Sequence, residues 1–184
     1  MLQASRTSIP AGTWTIDQAR SRVGFSVRHL MVATVRGRFN AFEGNLASDF
    51  GGLTGATGVV GAASIDTGDP KRDERLRGQS FLDVERSPWI NFASRRIESG
   101  DGDRFEIDGE LTIKRIRRPL ALQAALRYAS AELGELHVEA HGELLRSEYG
   151  LSWSEVLEAA GALVSDRVSV AVEIVAVRAQ PAGT

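Results

Sequence analysis

The sequence predicts an all-β fold in which antiparallel strands close into a barrel or stack as a two-sheet sandwich. Three observations carry this. Segment after segment alternates apolar with polar residues, the period of a strand with one face in a core and one in water. Turn chemistry punctuates the segments, as in "DFGG", "TGDP", "SGDGD", "RRP" and "AELGE". The connections are mostly of hairpin length, which makes consecutive strands antiparallel neighbours.

In chain order the alternation predicts strands at Thr13–Asp17, Arg22–His29, Thr34–Asn40, Glu43–Ser48, Gly58–Asp66, Trp89–Glu98, Arg104–Ile113, Leu120–Ala129, Glu135–Leu145 and Asp166–Arg178. Several have one clean apolar face: Val23, Phe25, Val27 and His29 share one, and Val168, Val170, Val172 and Ile174 another. Closing so many half-buried strands on themselves also removes exposed edges. The glycines of "GLTGATGVVG" read as a flexible loop entering a strand. Two stretches break the pattern. Asp69 to Pro88 is charged, with Leu76, Phe81, Leu82 and Val84 at helix-like intervals, and predicts one or two short helices over a barrel mouth. Ser152 to Gly161 offers Ser154 as a helix N-cap and Gly161 as its stop.

The totals suit one domain: 184 residues, 42% apolar and 25% charged. Residues 13–178 form the expected domain, with an N-terminal extension at 1–12 and a tail at 179–184. The net charge of -2 does not advertise nucleic acid as a partner. No cysteine is present, so disulfides, thiolate metal ligands and a cysteine nucleophile are excluded. The first residues lack the apolar core of a secretory signal, and no window reaches transmembrane length, so a cytoplasmic location is expected.

Candidate chemistry is sparse. His137 and His141 have helix-ligand spacing but lie in a strand, on the parity opposite Leu136 and Val138, without a third ligand; no metal is expected. The glycine run lacks the lysine and hydroxyl of a phosphate loop, and "GLSWS" lacks the last glycine of a nucleophile elbow, so no nucleotide cofactor or serine nucleophile is read. His29 follows the apolar face of its strand, where it is either a core histidine or a polar contact to something held inside. "KRIRRP" is a basic turn, either solvated or facing an anionic group at a barrel rim together with Arg36 or Arg38. Small residues expected on inner faces (Gly37, Gly61, Ala63, Gly109, Ala124, Ala140 and Gly142) leave volume for a cavity.

Four motifs occur in order: "TWTIDQARSRVGFSVRHLMVATVRGRFNAFEGNL", "SIDTGDPKRDERLRGQSFLDVERSPWINFAS", "GELTIKRIRRPLAL" and "YGLSWSEVLEAAGALVSDRVSVAVEIVAV". Together they resemble the YceI-like, polyisoprenoid-binding family from about Thr13 to Val177. The resemblance implies a lipocalin-like extended antiparallel β-barrel with short helices near the barrel ends, often dimeric, and a long apolar tunnel for an isoprenoid or similar chain. It implies no catalytic set and no cofactor. The sequence departs from the family's pattern at Arg20, Leu82, Arg115 and Ser147-Glu148. Leu82 bears on a wall or lid of the tunnel, the others on polar rim positions.

The expected function is therefore non-enzymatic binding, transport or storage of a polyprenyl phosphate, a quinone or another long-chain amphiphile. Expected ligand contacts are Phe25, Val27, Phe39, Phe42, Ile65, Phe81, Phe92, Leu111, Leu126 and Trp153, with His29, Arg36 and Arg38 as polar candidates. Two alternatives remain: an enzyme acting on a lipid-like substrate with His29 as base, and a filled barrel that serves as a protein-interaction module.

Overall fold

The structure, a computed structural model, describes residues 8–29, 33–152 and 164–179. Within them the strands are β1 (Gly12–Ile16), β2 (Arg22–His29), β3 (Ala33–Phe39), β4 (Phe42–Asp49), β5 (Gly52–Gly61), β6 (Ile65–Asp66), β7 (Trp89–Ser99), β8 (Arg104–Ile113), β9 (Ile116–Ser130), β10 (Glu135–Leu145) and β11 (Val164–Arg178), with one α-helix, α1 (Pro70–Arg77). Every pairing is antiparallel. The order β1-β4-β5-β7-β8-β9-β10-β11 returns from β11 to β1 and closes a barrel of 8 strands.

One long strand organises the closure. The end of β11 pairs with β1, as in Trp14↔Arg178, while its first part pairs with β2, as in Val170↔Phe25. A 3₁₀ turn at Gln18–Arg20 separates β1 from β2, and Asp17 accepts hydrogen bonds there from the Ala19 and Arg20 amides. The sheet thereby splits into two levels. β1 and β4 complete the lower one, and β2, β3 and β6 extend the upper one.

The lower level is solid. Trp14, Leu136 and Ala176 are fully buried there, with Leu53, Phe105 and Leu126. The Trp14 indole N–H donates to Ser48 Oγ at 2.7 Å, which in turn donates to the Pro10 carbonyl. The Arg178 guanidinium lies over the Trp14 ring, 5.4 Å from its centroid. Three hairpin turns, around residues 50, 102 and 132, mark this end. The opposite end carries the β8–β9 turn at Lys114-Arg115, α1, and the 3₁₀ turn Arg146–Tyr149.

Two differences from the expected boundaries bear on the fold. The glycine-rich run expected to be a loop is strand β5 over its whole length. Its close approach to β4 is made by a glycine of β4: a Cβ on Gly44, the partner of Gly58, would stand 2.3 Å from the Thr57 carbonyl oxygen, whereas one on Gly55, Gly58 or Gly61 would meet nothing nearer than 3.4 Å. β9 starts at Ile116, ahead of the expected Leu120, and runs through Pro119. Proline is admitted because this part of β9 pairs with β8 alone; β10 joins only from Leu122 onward. The helix expected from the Ser154 N-cap to Gly161 falls outside the described residues.

Candidate functional site: an apolar cavity open at one end

Alternation along β2, β3 and β11 turns Val23, Phe25, Val27, Val35, Val168, Val170 and Val172 into the upper barrel, where all are only half-buried. Inward-facing valines keep that much exposed surface only if the space in front of them is empty. It is: a cavity of about 480 Å³ occupies the upper level, with Phe42, Leu46, Ile90, Phe92, Ile107 and Leu111 on the facing wall. From Val23 to His29 the β2 wall rises about 20 Å. The solid lower level forms the floor. At the other end, Leu76 of α1 and Phe81 and Leu82 beyond it form part of the lining.

The few polar lining groups gather toward the mouth. Asp69 caps α1 by accepting from the Lys71 and Arg72 amides, and Pro70 starts the helix. These contacts, led by the Arg72 amide, hold the Asp69 carboxyl below its ordinary range. Arg72 turns back to Thr67, donating to its Oγ1 at 2.8 Å and to its carbonyl at 3.1 Å. The Thr67 hydroxyl donates to the buried Asp73 at 2.5 Å. Arg146 is buried and spans the carbonyls of Leu151, Val164 and Ser165, so it ties the start of β11 to the end of β10. Ser147 adds a second tie, donating through its amide and hydroxyl to Asp166, whose carboxyl is lowered chiefly by that hydroxyl. Arg75 and His29 also line the mouth, and among the described residues neither has a carboxylate at ion-pair distance.

Of the residues expected at a ligand, Phe25, Val27, His29, Phe39, Phe42, Phe81, Phe92 and Leu111 come together around the cavity. Ile65 and Leu126 do not; they are buried among packed side chains, at 3% and 4% exposure. Arg36 and Arg38 are on the outer face, because strand alternation sets them opposite Val35 and Phe39, and Arg38 pairs with Asp66 at 3.2 Å. Trp153 lies outside the described residues. Thr67, Arg72, Arg75 and Arg146 were missed. Only the basic character of the α1 segment pointed to the first arginines, and nothing local marks Arg146 as buried.

The inner glycines behave differently from the expectation that they leave space. A Cβ on Gly37 would meet Phe25 Cζ at 2.3 Å, and one on Gly109 would meet Phe92 Cζ at 2.5 Å. These two glycines are berths for rings from the neighbouring strands. The hollow comes instead from the valines of β2 and β11.

On the outer face His137 Nε2 lies 2.5 Å from Glu135, which also receives Arg20 at 2.7 Å. The Glu135 carboxyl is lowered, first by His137 and then by Arg20. His141 is on the same outer face and exposed, and no cluster of three potential metal ligands occurs among the described residues. Nor is any helix among them long and apolar enough to cross a membrane.

Comparison with known proteins gives the same picture. The barrel superposes on the crystal structure of BcnA from Burkholderia cenocepacia with a TM-score of 0.78, at 21% identity over 87% of this chain and 98% of that one. It also superposes on a polyisoprenoid binding domain from Saccharophagus degradans, with a TM-score of 0.75 at 15% identity, covering 90% of this chain and 98% of that one. In sequence, a UPF0312 protein of Shewanella oneidensis is 34% identical over 122 residues, 64% of this chain and 63% of that protein's length. A UPF0312 protein of Staphylococcus epidermidis is 28% identical over 161 residues, 84% of this chain and 91% of its own. The profile of the YceI-like domain matches residues 14–176, floor, wall and mouth together, and on that match the chain belongs to the YceI-like domain family.

Proposed function

We propose that the protein is a non-catalytic carrier or store for a long-chain amphiphile, an isoprenoid such as a polyprenyl phosphate or quinone. The observation that carries this reading is the blind apolar hollow walled by β2, β3 and β11. The polyisoprenoid binding domain that shares the fold supports the ligand class. Energetically the reading is undemanding. About 15 methylenes buried at about 0.8 kcal/mol each give about 12 kcal/mol gross, from which chain ordering and association subtract a large part. An enzyme using His29 as base has less support, since among the described residues no carboxylate orients the ring.

Val170→Trp tests the reading. The side chain faces the hollow from the middle of β11, so an indole there occupies ligand space without displacing packed atoms. Uptake of a prenyl lipid, followed by native mass spectrometry, should fall at least tenfold while thermal stability holds. A purified wild-type protein free of lipid and unable to take up prenyl alcohol, prenyl phosphate or quinone would defeat the proposal.

A further inference from the structure

The hairpin turns at the two ends of the barrel carry opposite charge. Turns at the solid end present Asp49, Asp101, Asp103 and Glu132. At the open end the β8–β9 turn presents Lys114 and Arg115, followed on β9 by Arg117 and Arg118, and Arg86 lies alongside: Arg115 donates to its carbonyl at 3.0 Å. Glu110 is shared between Arg95 at 2.7 Å and Arg117 at 3.8 Å. Lys114 and Arg118 donate to the backbone carbonyls of Gly150 and Arg117, which are uncharged acceptors. Among the described residues, Lys114, Arg115, Arg118 and Arg86 have no carboxylate at ion-pair distance, although Glu85 and Glu148 belong to the same connections.

Two further features single out this corner. Lys114 and Arg115 both adopt left-handed backbone, with φ of 49° and 66°. A two-residue hairpin turn of that shape is made more cheaply by Asn-Gly, so this chain holds two long cations at the tip against local preference. Beside them, at the start of β7, Trp89 is 58% exposed. The β7–β8 register Asn91↔Thr112, carried two residues further, sets it across from Lys114. An exposed indole beside cations that have no carboxylate partner among the described residues is the composition that settles at the headgroup level of a bilayer.

We propose that the open rim, led by Lys114, Arg115, Arg118, Arg86 and Trp89, docks on an anionic lipid surface, so that the mouth faces the bilayer and the acidic end faces away. This goes beyond the carrier reading and can fail independently of it. The test is co-sedimentation of the full chain with phosphatidylcholine vesicles, with and without phosphatidylglycerol, at low and high salt. Wild type should bind the anionic vesicles and be released by salt. The double variant Lys114→Asn with Arg115→Gly supplies the preferred turn, so it should fold at least as well; its vesicle affinity should drop about thirtyfold, five- to sixfold for each cation removed near the surface. Trp89→Ser should weaken binding as well, whereas Phe50→Ser at the opposite end should not. Three results would overturn the proposal: no binding to anionic vesicles at low salt, equal binding to neutral ones, or full binding by the double variant. An acidic protein as the true partner would give the first. Prenyl alcohol uptake, measured without vesicles, should be unchanged in the double variant; its absence in wild type counts against the carrier reading alone.

Discussion

At Gly37 the Phe25 ring occupies the space of a missing side chain, and its centroid lies 5.6 Å from that of Phe39. Gly37→Val should therefore cost about 1–3 kcal/mol by overpacking, read as a lowered midpoint in urea. Adding Phe25→Ala should recover part of that loss, because the valine then fills the vacated berth. The floor offers a complementary case. Ser48→Ala removes the acceptor of the buried Trp14 indole N–H, and an unsatisfied buried donor costs about 1–3 kcal/mol. At this scale the sequence was partly legible. Alternation correctly told inward from outward along β2 and β3, which places Phe25, Val27 and Phe39 at the cavity. It could not tell which inward glycines were empty, because a ring from the next strand fills them and register is not written locally. Arg36 and Arg38 are a different case: their charge suggested a ligand role, although the local alternation already sent them outward.

Among the elements, α1 and the turn after β10 hold the mouth in shape through carboxylates. Asp69→Ala should destabilise by about 1 kcal/mol through the lost cap. Asp66, Asp69 and Asp166 all have carboxyls held below the ordinary value of 3.8: Asp66 chiefly by the Gly68 amide, Asp69 by the Arg72 amide and Asp166 by the Ser147 hydroxyl. Because the folded values are depressed, their stabilisation is complete above 3.8 and is lost as pH falls through the lowered values. Acidification below about pH 4 should thus raise hydrogen exchange in α1 and the Arg146–Tyr149 turn. Helix content between Asp69 and Pro88 was legible from its apolar spacing, though not its end at Arg77. β5 was misread because glycine weakens a strand signal, and here pairing on both sides, with β4 and β7, outweighs propensity.

For the whole molecule, closure was the part least visible in the sequence. The choice between barrel and sandwich rests on β1 meeting β11, residues from opposite ends of the chain, and no local pattern encodes that contact. The resemblance in the four motifs supplied the barrel where periodicity left two options. The two-level design also predicts how the protein melts. Amides around Trp14, Leu136 and Ala176 should exchange slowest, and a bound prenyl lipid should raise the melting temperature in proportion to the logarithm of its free concentration. The inward valines of β2 and β11 have packing partners on one side only. Atoms facing a void forgo the dispersion contacts that a filled interior supplies. On the proposed reading, a guest seated there would become masonry: it would finish what the chain leaves unbuilt in its upper storey, and emptying the hollow would loosen the wall itself.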